Sequence, residues 1–352
     1  MSSGDRMAPR LWLPNAIRAL SPLVLTYLLV LTFVGLAWVL GVRSSVVIPA
    51  LINVTLVLSI YLFSGNSGIF SFGHVGFMAV GAYTAAILTI PIDTKNLLYE
   101  MPGWLERAQL PAVPAILVAA AVAAVVALLF GLPIMRLGGI AASISTFALL
   151  VITHTVSQNM QAVTNGQSGI TAVPKTVTQT TMLVAIGISM IVAFLFQKSG
   201  RGLRLRASRE DEVAASAAGI RIRQERRVAW VLSAVLAGAA GALYAQYLGT
   251  FAPDSFYLEQ TFVLVAMLVI GGSRSMAGAV VGVLVLSAVS ELLRQVGSGI
   301  SIGSVKTPSF AQLTPVFLAL FMLLILILRP AGITHGREFS IPVPRRRAST
   351  KP

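Results

Sequence analysis

Apolar stretches with few charges recur along the whole chain, and polar residues gather in the short segments between them. A helix needs roughly 20 mainly apolar residues to cross about 30 Å of hydrocarbon. Stretches of that length fall near 22–41, 46–63, 74–91, 112–135, 138–157, 180–197, 228–249, 260–276, 278–296 and 310–328. The pattern predicts an all-α fold: a polytopic membrane helix bundle of about ten transmembrane helices, with a broken or re-entrant segment and a short cytoplasmic helix. The first stretch follows Arg6, Arg10 and Arg18, as a signal peptide would, but its apolar run is too long and no Ala-x-Ala site follows, so it is read as an uncleaved span. The chain divides into a cytoplasmic segment 1–21, a membrane domain 22–328 containing a long loop at 198–227, and a basic tail 329–352 whose Pro342-Val343-Pro344-Arg345-Arg346-Arg347 run is expected to be disordered.

Composition agrees with a bilayer as solvent. Of the 352 residues, 56% are hydrophobic and 11% charged, and the mean hydropathy is +0.84; a soluble domain carries about 25% charged residues. The absence of cysteine excludes disulfides and thiolate metal sites. The net charge of +14 is explained by position. With the N-terminus cytoplasmic, 20 of the 26 Lys and Arg fall on the inner side, nine of them between Lys198 and Arg227, as the positive-inside rule requires. The basic balance therefore sets topology and contact with anionic membrane lipid, and no nucleic-acid partner is expected.

Two spans are joined by Ser64-Gly65-Asn66-Ser67-Gly68-Ile69-Phe70-Ser71-Phe72-Gly73-His74, a run of poor helix formers where the backbone is expected to break. Two readings stand side by side: a broken helix facing a translocation path, or a tight cytoplasmic turn followed by close packing through Gly73, Gly76 and Gly81. The segments 51–90 and 262–290 hint at a duplication without matching polar positions. Ala237-Gly238-Ala239-Ala240-Gly241-Ala242 and Gly278-Ala279-Val280-Val281-Gly282 read as packing faces. His74 and His154 have no carboxylate, second His or Cys at ligand spacing, so both are expected to be neutral and hydrogen-bonded within the bundle, with no metal. Glu291 is the sole acid well inside a predicted span, with Arg294 placed to pair with it, while Asp254 and Glu259 lie near an outer end. An ion-driven carrier usually buries acids near midplane, and a membrane enzyme needs a convergent catalytic set. Neither is legible, and no cofactor is implied; the energy for moving a solute comes from elsewhere.

The loop at 198–227 reads Gly202-Leu203-Arg204-Leu205-Arg206-Ala207-Ser208-Arg209-Glu210-Asp211-Glu212-Val213-Ala214-Ala215-Ser216-Ala217-Ala218-Gly219. Acids at 210–212 complement a helix N-terminus and Gly219 caps its C-terminus. The segment 209–219 is therefore a short helix outside the membrane, either a knob for a cytosolic partner or a solvated connector.

This segment resembles the ATPase-docking loop of ABC importer permeases, and most nearly that of the LivM-type permeases of branched-chain amino acid importers. Similar stretches are Gly68 to Tyr83, Ala237 to Phe256, Ile270 through Gly282 and, more weakly, Asn165 to Ile170 with Pro174. Val213 departs from the general Glu-Ala-Ala pattern, and Arg274 replaces the usual glycine after Gly-Gly-x. The resemblance implies a permease of the bacterial inner membrane working with a LivH-like permease, two cytosolic ATPases and a periplasmic binding protein. It implies ATPase coupling at Arg209, Glu210, Asp211, Glu212, Ala214, Ala215 and Gly219, and a substrate pathway past Ser71, Gly73 and His74. Cargo would be branched-chain amino acids or, in a paralogue, urea, short amides or other carboxylates. The chain lacks a Walker motif, so ATP hydrolysis is expected in the partners.

Overall fold

The computed structural model describes residues 12–99, 101–297, 301–302, 305–306, 314–329 and 331–339. Its helices in chain order are α1 (Trp12–Val39), α2 (Ser44–Ile60), α3 (His74–Thr89), α4 (Ile92–Leu98), α5 (Gly103–Glu106), α6 (Ala112–Ile134), α7 (Gly139–Asn159), α8 (Gln161–Thr164), α9 (Gln179–Lys198), α10 (Gly200–Glu210), α11 (Glu212–Ala217), α12 (Ile222–Leu248), α13 (Leu258–Gly271), α14 (Met276–Gly297) and α15 (Thr314–Leu328). A π turn, Tyr61–Gly65, extends α2, a 3-10 turn, Pro253–Phe256, leads into α13, and a two-residue antiparallel pair joins β1 (Ser301–Ile302) to β2 (Val305–Lys306).

Among the described residues eight helices are long and apolar enough to span a membrane, and each falls on a predicted stretch. The two other predicted spans are shorter helices. The 16-residue α3 meets α4 at a bend of 109°, and α15 has 15 residues. Arg6, Arg10, residues 310–313 and the Pro342–Arg347 run lie outside the described residues.

In lipid, large apolar side chains gain nothing by turning inward, so helix contacts fall to small residues that let backbones approach. Helix α6 shows this inversion. Ala115, Ala119, Ala123 and Ala127 repeat every four residues and are buried, while Leu117, Val125, Leu128 and Leu129 are exposed. The buried stripe faces α12, where Gly238 lies against Ala123. On the other side of α12, a methyl at Gly81 of α3 would overlap the Gly238 carbonyl, and one at Gly241 would overlap that of Met78. The 237–242 and 278–282 faces are thus packing seams, the second against Met267 and Gly271 of α13. Burial follows: 83% of the α2 span and 67% of the α12 span are enclosed by the chain, against 28% for α6. Helices α2 and α12 form the centre and α6 presents an apolar flank outside the bundle.

At the end away from the Lys- and Arg-rich loop, Ile170 and Phe251 exchange backbone hydrogen bonds of 2.9 and 3.0 Å, which ties the Asn165–Ile170 motif to the end of α12. His154 differs from expectation here. Its Nε2 lies 2.9 Å from Asp254 Oδ1, Gln158 donates to the same oxygen, and its ring stacks on Tyr257 at 3.7 Å. The carboxylate comes from 100 residues away, where local spacing could not show it. Lys95 is buried and donates to the Leu105 and Ala108 carbonyls. Glu291 pairs with Arg294 at 2.7 Å, as the spacing predicts.

Candidate functional site at the basic end

At the Lys- and Arg-rich end, the chain leaves α9 and forms two helices where the sequence suggested one. The Ser199 hydroxyl accepts from the Gly202 amide at 3.2 Å and starts α10. Buried Leu205 anchors it, and Arg206 Nη2 donates to the Gln197 carbonyl at 3.0 Å. Arg209 and Glu210 thus close α10 rather than opening the next helix. Asp211 then turns the chain: its Oδ1 accepts from the Val213 and Ala214 amides, both at 2.9 Å, capping the six-residue α11. At its far end Gly219 N donates to the Ser216 carbonyl and Ile220 N to that of Ala215. This Schellman closure needs the left-handed φ of +80° at Gly219.

The candidate residues fall on two sides of this turn. Glu210, Asp211, Glu212, Ala214 and Gly219 are exposed, and Val213 is 81% exposed, presenting an apolar tip to the outside. Ala215 is 6% exposed and faces its own bundle. Its small size therefore answers to this chain, whereas Gly219, with open space around it, answers to its backbone angle. Glu212 reaches Arg226 at 3.1 Å, which pins α11 to the start of α12.

Arg209 turns inward from the acids that follow it. Its side chain is 16% exposed, and Nη1 donates to the Gly65 carbonyl at 2.5 Å, at the end of the π turn of α2. Its Cγ lies 2.5 Å from where a Cβ at Gly68 would stand, and Gly68 holds a φ of +75°. Glu210 Oε1 accepts from Nε and Nη2 of Arg209 at 3.2 and 2.9 Å, fixing the guanidinium from the solvent side. Those bonds and the Arg209 charge hold the Glu210 carboxyl below its usual range.

The segment that Arg209 touches is the break predicted between the second and third spans. Gly68 N donates to the Ser64 carbonyl, and the Ser71 amide donates to Ser64 Oγ at 3.2 Å. Asn66 donates to the Leu62 carbonyl, and its Oδ1 is buried with no hydrogen-bond partner among the described residues. His74 opens α3 between two hydroxyls, with Nδ1 2.8 Å from Ser71 Oγ and Nε2 2.9 Å from Ser233 Oγ. Ser233 donates its own proton to the Trp230 carbonyl at 2.8 Å, so it accepts from Nε2–H, and Nδ1 accepts from Ser71. One ring proton is enough to satisfy both contacts, and both ring nitrogens are engaged by hydroxyls. Gly73 packs on the Thr146 carbonyl. Ser71, Gly73 and His74 are all buried in this arrangement. Arg274 is exposed beside Gly336, and its backbone carries no positive φ.

Residues 42–328 match the family described as branched-chain amino acid transport system / permease component. The chain is 26% identical over 344 residues to the high-affinity branched-chain amino acid transport system permease protein LivM of Escherichia coli, covering 87% of this chain and 74% of that protein. It is 27% identical over 285 residues to the nucleoside ABC transporter permease protein NupC of Lactococcus lactis, covering 74% and 86% respectively. It is 29% identical over 153 residues to the probable branched-chain amino acid transport permease protein LivH of Methanocaldococcus jannaschii, covering 44% and 45%. No solved structure matches significantly.

Proposed function

The chain belongs to the permease component family of branched-chain amino acid transport systems, and we propose that it forms half of an importer channel for those amino acids in a bacterial inner membrane. A LivH-like permease supplies the other half, two cytosolic ATPases drive it, and a periplasmic binding protein delivers the cargo. The observation that carries this reading is the bond from Arg209 to Gly65. It joins the end of α10, which turns directly into α11 and its exposed apolar tip, to a break in the most enclosed span.

The mechanism follows from that joint. When the ATPases close on ATP they displace α11, and α10 moves with it through the Asp211 turn. Arg209 passes the displacement to the Gly65 carbonyl, so the break moves rather than the whole of α2. Ser71, Gly73 and His74 sit on the far side of the break and line the path once it opens.

A second cargo is favoured by one observation: the Lactococcus relative, of which this chain covers 86%, is a nucleoside permease. Uptake of labelled leucine, isoleucine and valine by the assembled complex in proteoliposomes decides between the two. ATP-dependent uptake of these amino acids supports the proposal. ATP-dependent uptake of nucleosides alone rejects the cargo, and uptake indifferent to ATP rejects the permease reading.

A further inference from the structure

The chain does not end its structural role at α15. Residues 331–339 return as a strap across the turn between α13 and α14. Ile333 N donates to the Ile270 carbonyl at 2.8 Å, and Thr334 N to that of Gly271 at 3.2 Å. Thr334 Oγ1 adds a second bond to the Gly271 carbonyl at 2.9 Å. The strap delivers Glu338 to the N-terminus of α14. Glu338 Oε1 accepts from the Met276 amide at 2.8 Å and Oε2 from the Ala277 amide at 3.1 Å. These amides belong to the first turn of α14, where no helical carbonyl is available and where a negative charge is favoured.

A cap alone would use only those two bonds. Oε1 of Glu338 also accepts from Gln197 Nε2 at 3.2 Å and lies 3.5 Å from the Tyr61 hydroxyl, which donates to it. Gln197 stands in the last turn of α9, and its carbonyl receives Arg206 of α10. Tyr61 opens the π turn that ends at Gly65. One carboxylate therefore touches α14, α9 and the π turn, and two of those contacts lead within one step to the Arg209 joint. The turn it secures also packs on the break, since a Cβ at Gly65 would stand 2.7 Å from the Ser273 carbonyl.

We infer that Glu338 is a positioning residue of the transport cycle: it ties the start of α14 to α9 and to the π turn, so that movement of the coupling segment carries α13 and α14 with it. Without the strap the movement stops at the break. This inference rests on the ATPase-driven reading of α10 and α11.

The test uses the complete complex in proteoliposomes, with uptake, ATP hydrolysis and thermal stability measured on each variant. Gln197→Ala removes one contact of the carboxylate and leaves the α14 cap whole. Glu338→Ala removes all of them, and the two are also combined. Gln197→Ala is expected to lower uptake per ATP hydrolysed several-fold with little change in unfolding temperature. Glu338→Ala is expected to lower it about tenfold, and the double variant to lose no more than Glu338→Ala alone, because both act through one link. Unchanged uptake per ATP in Gln197→Ala would overturn the inference and leave Glu338 a helix cap, as would additive losses in the double variant. If Glu338→Ala fails to assemble, Gln197→Ala and Glu338→Gln decide in the same way. A wild-type complex whose uptake ignores ATP would sink the functional reading itself, whereas ATP-driven uptake untouched by these variants sinks only this inference.

Discussion

Replacing Arg209 with alanine removes the only side chain seen bridging the candidate coupling segment to the break in α2 by a hydrogen bond among the described residues. A hydrogen bond to a charged group contributes about 1.5–3 kcal/mol, and a buried carbonyl left without a partner costs about 1–3 kcal/mol. Gly65 is buried and the Arg209 side chain largely so, which keeps solvent from replacing most of that loss. The joint should weaken by about 2–3 kcal/mol, which is roughly 30- to 150-fold in the ratio of linked to unlinked forms. The assay is uptake per ATP hydrolysed by the assembled complex, alongside co-purification of the ATPases. Arg209→Ala should keep the ATPases bound, because α11 and Val213 are untouched, and should lose most of the uptake. Arg209→Lys should fall between, since a single ammonium cannot bond Gly65 and hold Glu210 in the same fork geometry. Glu210→Gln should change little, because Glu210 is exposed. Full coupling in Arg209→Ala would refute the claim that motion passes through this bond.

Gly219→Ala and Gly219→Leu should cost the complex a similar amount, about 1–2 kcal/mol, because the left-handed φ sets the penalty; thermal unfolding that ranks Leu far below Ala would point instead to a tight partner groove. His74→Ala should lower stability by about 2–4 kcal/mol through the loss of a buried ring and two hydrogen bonds, with no change in bound transition metal; a stoichiometric metal lost with His74 would contradict the tautomer assigned to it. Reporter fusions at residues 170 and 215 should lie on opposite sides of the membrane, as the 20-to-6 division of Lys and Arg requires; the same side for both breaks the threading.

What the sequence made legible was local. Charge-poor runs located all eight long spans because the bilayer imposes length and polarity on each one separately. The α11 caps were legible because Asp211 and Gly219 act on amides and carbonyls within four residues. The Glu291–Arg294 pair was visible for the same reason. Helix α10 was hidden by Gly200 and Gly202, poor helix formers that it tolerates because Ser199 caps it and Leu205 is buried. The contacts that turn these elements into a junction span long separations: Arg209 to Gly65 over 144 residues, His74 to Ser233 over 159 and Glu338 to Tyr61 over 277. Nothing in the spacing of one chain marks such partners. The glycine at 68 was a partial signal, a residue with neither Cβ nor φ restriction next to a serine-rich break, but only the fold shows that the space belongs to Arg209.

On the proposed reading, partner ATPases grip α11 and drive the chain through it. Val213 tests this most directly, since it is 81% exposed and the chain has no cysteine of its own. Val213→Cys places a single thiol at the tip of α11, to which a short photoactivatable crosslinker can be attached before the complex is assembled. A specific adduct with an ATPase subunit is expected, its yield changing when ATP binds, and ATP-driven uptake is lost once the adduct forms. An α11 that never crosslinks to an ATPase, in a complex that still imports its substrate on ATP, would contradict it.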